Sequence, residues 1–245
     1  MHSSSLRNLK RFFENYLSNF ENPEILDIGG TKLSDHLTGL DVLKKFNKKF
    51  NYRTVDIKAG PSVDIVLKNP YSFKEIKENS IDIVISMSTF EHIEFFWLTY
   101  LQILKVLKPN GIFYLNAPSN GIFHRWEQDC WRFYPDSSSA LIRWGKYNNF
   151  NNSLLESFTT KKFLEGGWND FNGVFLKDRE NLDKFPSRII DHINDFYNGI
   201  KNDNFENIIN YQEKTEDQNN FGYKFWYKIN KKFQKYFSKF LKDKI

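Results

Sequence analysis

The chain is poor in the residues that would point to several common chemistries. It has one cysteine, Cys130, in 245 residues. An internal disulfide is therefore impossible, and a cysteine-ligated metal cluster is excluded. No apolar run approaches the roughly 18 residues needed to cross a bilayer. The opening stretch, MHSSSLRNLKRFFENYL, lacks the apolar core of a signal peptide, so a cytoplasmic protein is expected. Glycine is sparse, 12 in all, and the full G-x-G-x-x-G of dinucleotide-binding loops is missing. The five histidines are scattered and no carboxylate cluster stands out, so no metal is expected. The net charge of +5 is uneven. Residues 221–245 carry eight lysines and one aspartate, which leaves the rest mildly acidic. The charge of the body therefore implies no general nucleic-acid-binding surface.

What the chain does have is aromatic mass, 18% of residues with 25 phenylalanines, and a regular alternation of strand and helix signals. Residues 5–20 place Leu6, Leu9, Phe12 or Phe13, Tyr16 and Phe20 at helical spacing. Strands are expected at EILDIGG, NYRTVDI, VDIVL, SIDIVISMS and IFYLNAP, with helices over 35–48, 93–107 and 136–147 and a turn at KPNG (108–111). SLLESFTTKKF and FNGVFLKD are candidate closing strands. The fold class expected is α/β, a doubly wound, mostly parallel, seven-stranded Rossmann-like sheet with a helical C-terminal extension. The domain boundary is placed at 178, with residues 179–245 as the extension.

Open parallel sheets bind ligands beyond the carboxyl ends of their strands. Asp27, Gly29 and Gly30 end the first strand, and Asp56 ends the second. Glycines allow close backbone approach, and a strand-end acid can accept hydrogen bonds from both ribose hydroxyls. That arrangement suits a nicotinamide or an adenosylmethionine nucleotide, and the short glycine loop disfavours the former.

The ordered set LDIGG, TVDI, TFEHI and LKPNG resembles the class I S-adenosylmethionine-dependent methyltransferases over residues 20–180. The resemblance implies S-adenosyl-L-methionine as cofactor. It implies that Asp27, Gly29 and Gly30 cradle the methionine part and that Asp56 holds the ribose. Asn69 would lie beside the adenine, with Met87, Ser88 and Thr89 beneath the sulfonium. Thr31 stands where another glycine is common in the family. Glu91 and His92 are candidate substrate contacts, although Glu91 could equally favour a helix dipole and His92 could simply pack.

A second signal follows the fifth strand, in APSNGIFHRWEQDCWRFYPDSSSAL (117–141). Its His124, Asp129, Trp131, Arg132, Phe133 and Pro135 resemble a subset of these methyltransferases that accompany sugar and surface-polysaccharide synthesis. A sugar hydroxyl is a poor nucleophile until its proton is removed. His124 is the candidate base, because its ordinary pKa lies near neutrality. Asp129 would orient it or bind the hydroxyl. Trp126, Trp131 and Tyr134 offer faces for the acceptor. Arg132 would hold a phosphate or carboxylate on the substrate, or brace the loop by pairing with Asp129 or Asp136. The expected activity is O-methylation of a small carbohydrate-like substrate. N-methylation and an inactive scaffold remain the alternatives. The C-terminal stretch 221–245, with a phenylalanine stripe among lysines, is read as a helix that lies on an anionic membrane surface, packs on the body or meets a second copy.

Overall fold

A computed structural model describes residues 3–32, 37–162, 168–216 and residue 229. One compact unit spans Met1–Tyr211 and a second Gln212–Ile245. The expected basic helix at 221–245 lies outside the described residues, Ile229 apart.

The sheet grows from five parallel strands: β1 (Glu24–Ile28), β2 (Asn51–Asp56), β3 (Ile65–Val66), β4 (Ile81–Met87) and β5 (Leu107–Pro118). β6 (Ser153–Thr160), β7 (Asp170–Leu176) and β8 (Phe196–Lys201) complete it in the order β3-β2-β1-β4-β5-β7-β6-β8. β7 runs antiparallel to β5 and to β6, and β8 antiparallel to β6. The sheet thus has eight strands, not seven. β8 arises from the Asn-rich stretch assigned by sequence to the extension, so the body continues well past residue 178. Among the described residues of that stretch the helical parts are short 3-10 turns, Arg179–Lys184 and Ile189–Asp191.

β4 shows why the centre of the sheet is so apolar. Ile83, Ile85 and Met87 face one layer and Val84 the other, and all are buried. A strand covered on both faces needs no polar alternation. On one side lies α1 (Ser3–Tyr16), whose Leu9, Phe12, Phe13 and Tyr16 are buried. The Phe12 ring stacks on Tyr114 of β5 at 4.4 Å. α2 (Gly39–Leu43) lies on the same side and is only five residues long, where the sequence suggested 35–48. The opposite layer holds α3 (Phe96–Val106) and α4 (Asp136–Tyr147). The KPNG segment is a bulge inside β5: Ile81 pairs with Leu107 but Ile83 with Ile112. A Cβ at Gly111 would sit 2.9 Å from Lys108 O and 3.0 Å from Ile81 O, so only glycine fits there.

Candidate active site

Strand order reverses between β1 and β4, the place where such sheets bind ligands. The β1 end is built around one carboxylate. Asp27 is buried, and Tyr52 Oη donates to its Oδ2 at 2.5 Å. Its Oδ1 is buried without a partner. Burial pushes the Asp27 carboxyl up to about 7, the Tyr52 hydrogen bond opposing this. A Cβ at Gly30 would fall 2.1 Å from Asp27 Oδ2. Gly29 has φ +74°, and a Cβ there would lie 2.4 Å from Thr89 Cγ2. Each glycine is thus required by the chain's own packing: Gly30 to seat the acid, Gly29 to turn against Thr89.

Asp56 lies at the end of β2, next to β1. Its Oδ1 accepts from the Ile57 and Lys58 amides at 2.7 and 3.2 Å. Thr31 Oγ1 donates to its Oδ2 at 2.5 Å. The threonine that departs from the glycine pattern therefore places a hydroxyl on the expected ribose acid. Asn69 is exposed in a surface turn after β3, where its Oδ1 accepts from the Tyr71 amide at 2.8 Å. Met87 is buried at the end of β4. Ser88 follows with φ +49°, a left-handed backbone that non-glycine residues seldom adopt and that clusters at functional sites. Its amide donates to Asn116 O at 2.9 Å.

The two remaining motifs prove to be one unit. Residues 119–133 form a closed loop: Phe133 N donates to Pro118 O at 2.9 Å, and Ser119 Oγ to Phe133 O at 2.5 Å. The 3-10 turn Phe90–His92 holds that loop from below. Glu91 O accepts from the Cys130 and Trp131 amides at 2.8 and 3.2 Å. Gln128 Nε2 donates to His92 O at 2.7 Å, while His92 Nδ1 lies 2.5 Å from Gln128 O. The Trp131 indole donates to Ile93 O and Glu94 O, each at 3.1 Å. Burial lowers the His92 pKa.

Asp129 is the hub of the loop. Arg132 donates to both its oxygens, at 2.5 and 2.7 Å, and to Ile122 O at 2.8 Å. The His124 amide donates to Asp129 Oδ2 at 2.8 Å, and His124 Nδ1 stands 3.3 Å from the same oxygen. Arg132 holds the Asp129 carboxyl down to about 2. Of the two roles weighed for Arg132, the loop brace is the one its contacts display. Trp126 and Tyr134 are exposed on this loop, at 63% and 52%.

A small pocket opens between these parts, lined by Ser88, Glu91, Pro118, His124, Trp168 and Asp170. Glu91 is 1% exposed with Oε2 unpartnered, and burial pushes its carboxyl up to about 8. Asp170 begins β7, and burial raises it to about 6. Asn8 of α1 donates to Asp170 Oδ2 at 3.3 Å, and Ser5 Oγ lies 3.3 Å from Ser88 Oγ. Asn116 Oδ1 is buried and unpartnered nearby in β5. Asp170, Trp168, Asn116, Ser5 and Asn8 had no local motif to mark them. Two of the five histidines meet here after all: ligand-capable atoms of Glu91, His92 and His124 lie within 4.8 Å of one another.

Residues 26–115 match the family described as "Methyltransferase domain". Over this stretch, well under half of the chain, the sequence is similar to that family. Two solved structures are similar to the chain in fold. One is the 1,6-didemethyltoxoflavin N1-methyltransferase of Burkholderia thailandensis, bound to 1,6-didemethyltoxoflavin and S-adenosylhomocysteine. Its TM-score is 0.53 at 14% identity over 71% of this chain and 79% of that one. The other is the CMeT domain of the citrinin polyketide synthase, at TM-score 0.50 and 13% identity, over 72% of this chain and 53% of that one. No curated protein matches the chain. S-adenosylmethionine is the cofactor that the sequence resemblance implies. One feature of the β1 end suits that molecule: the unpartnered buried oxygen on Asp27 can accept from an ammonium group, and Gly30 makes room for the Asp27 carboxylate that offers it.

Proposed function

We propose that the protein is an S-adenosylmethionine-dependent O-methyltransferase. Its acceptor is a hydroxyl of a sugar, nucleotide-sugar or similar small polar precursor of a bacterial surface polysaccharide, such as capsule or lipopolysaccharide. The observation that carries the reading is the His124–Asp129–Arg132 loop fastened to the turn after β4, just beyond the stretch that is similar to methyltransferase domains. The polysaccharide class rests on the resemblance of that loop. The exposed Trp126 and Tyr134 support it, as faces on which a sugar ring can stack. On this reading the protein works in the cytoplasm, and the lysine- and phenylalanine-rich residues 221–245 suit contact with the inner membrane or with a second copy. No helix among the described residues is long and apolar enough to cross a membrane.

S-adenosylmethionine supplies a methyl carbon activated by its sulfonium. The chain's own part is to seat that molecule, aim the acceptor hydroxyl and exclude water. Asp27, Gly29 and Gly30 hold the methionine end, Asp56 the ribose, and Met87 and Ser88 the floor. Asn69 stands on the adenine side. Glu91, His92 and Arg132 shape the acceptor side. His124 accepts the hydroxyl proton, and the Asp129 carboxylate 3.3 Å from Nδ1 stabilises the resulting imidazolium.

Two measurements test this. Asp56→Ala removes the ribose acceptor, and calorimetry with S-adenosylmethionine should show affinity weakened about 10- to 100-fold, the worth of one to two hydrogen bonds to a charged group. No binding by the wild type ends the reading. The acceptor is sought by incubating nucleotide-sugars with methyl-labelled cofactor. A second reading, transfer to a neutral amine nitrogen, draws on the two buried acids Glu91 and Asp170, whose oxygens line the pocket and can accept from its N–H. His124→Ala separates the two. A hydroxyl acceptor loses about 10²- to 10⁴-fold in rate with its base; an amine acceptor keeps nearly all of it.

A further inference from the structure

We propose that Glu91, His92 and His124 form a binding site for a divalent first-row transition ion such as zinc. Three observations carry it. First, one carboxylate and two imidazoles converge, with donor atoms within 4.8 Å of one another and Glu91 Oε1 3.7 Å from His92 Nε2. An ion bound at metal–ligand distances of about 2.0–2.2 Å would require these side chains to rotate toward it. Two imidazoles with one carboxylate is a donor set for zinc and for non-haem iron(II), with coordination positions left open.

Second, the His92 ring is held from outside. Its Nδ1 rests against Gln128 O at 2.5 Å, which leaves Nε2 for the ion. The His124 backbone is fixed by Asp129, and its ring Nδ1 is buried without a hydrogen-bond partner, 3.3 Å from that carboxylate. Metal-bound histidines are characteristically fixed this way, by a carbonyl or carboxylate on the far side of the ring.

Third, Glu91 Oε2 lies buried without a partner, in a residue 1% exposed that lines the pocket. An unsatisfied buried oxygen costs roughly 1–3 kcal/mol, more when charged, and an ion removes that cost. Asp170 and Ser88 line the same pocket as Glu91 and His124. The Arg132 charge is already committed to Asp129 and does not oppose the ion alone.

The inference rests on the geometry of the pocket and not on the identity of the acceptor. In the ion-loaded protein His124 is a ligand, so the proton-accepting part given to it above belongs to the ion-free protein. Untagged full-length chain, stripped with a chelator, is titrated with cobalt(II) followed by visible absorption and with zinc by calorimetry. Neither methyl acceptor nor cofactor is present, so failure here leaves the methyltransferase reading standing. The expected result is one ion per chain, d–d bands of nitrogen-ligated cobalt, and affinity weakened more than about tenfold in His92→Ala and in Glu91→Gln. Glu91→Gln keeps the side-chain shape and decides the matter should His92→Ala fold poorly. The proposal is overturned if the wild type binds neither ion, or if folded Glu91→Gln binds both as tightly as the wild type.

Discussion

An Arg132→Ala variant is expected to lose about two to three orders of magnitude in kcat/KM while binding S-adenosylmethionine as the wild type does. The guanidinium makes a forked contact with Asp129 at 2.5 and 2.7 Å and ties Ile122 O to the same point. Asp129 in turn sets the His124 backbone. The Asp129 side chain is 1% exposed, so losing its partner strands a carboxylate away from water. Breaking a buried pair on one side costs up to 3–5 kcal/mol. Arg132 is itself partly open to solvent, so a fall of about 2–3 kcal/mol in unfolding free energy is expected. Displacing a positioned group by an ångström is worth about a hundredfold in rate. Arg132→Lys should not restore activity, because a point charge cannot reproduce the fork. The measurements are steady-state kinetics, denaturant unfolding and cofactor calorimetry. Were Arg132 only a hand for a substrate phosphate, KM alone would rise and unfolding would not change.

The same loop shows what a sequence carries and what it withholds. His124, Asp129 and Arg132 stand out by residue type and by order along the chain, and their spacing of three to five residues lets them meet. Which of them bonds which is decided by where the chain reverses, at the Pro118–Phe133 neck. Local periodicity was sufficient for α4, whose observed span, Asp136–Tyr147, is the one the pattern marks. It was sufficient for β4, where a continuous β-branched run has no other home. β8 and the KPNG bulge are different. β8 is a strand because β6 offers a free edge, and the short FYNGIK run is hard to single out within a polar, Asn-rich stretch. KPNG is not the turn its residues suggest but a bulge within β5, since β4 continues alongside it. Glu156 reads as an ordinary polar strand residue. It is fully buried, accepting from Tyr16 Oη and from the Ile189 and Ile190 amides at 2.5, 2.7 and 3.1 Å. Its partners lie 33 residues or more away, beyond any local pattern. Asp170, Trp168 and Asn116 joined the pocket for the same reason: strand order, not spacing, delivers them.

Asp27 couples the fold to the cofactor, and the coupling has a sign. The folded protein holds this carboxyl at about 7 because burial penalises its charge, whereas an unfolded aspartate titrates near about 3.9. Below pH 4 both states carry the proton and the protein has its full stability from this group. Between pH 4 and 7 the unfolded chain releases the proton and the folded chain keeps it, so stability falls as pH rises. At about 1.4 kcal/mol per pH unit the loss approaches roughly 4 kcal/mol, and it levels off above pH 7. Asp27→Asn has no such proton to lose. Glu91 and Asp170 add slopes of the same sign, so the quantity to measure is the difference between wild type and variant. Without cofactor, Asp27→Asn should approach or exceed the wild type in unfolding free energy at pH 8 and lose that advantage at pH 5. With cofactor the order reverses. An ammonium group beside Asp27 Oδ1 favours the ionised carboxylate, so wild-type affinity for S-adenosylmethionine should climb toward pH 7 and then hold. Asp27→Asn should bind about 10- to 100-fold more weakly with that dependence flattened, as expected for loss of a charge-assisted contact. Denaturant unfolding and calorimetry at pH 5, 6, 7 and 8 read both halves. Equal pH dependence in the two proteins would show that this carboxylate neither stores the penalty nor meets the cofactor.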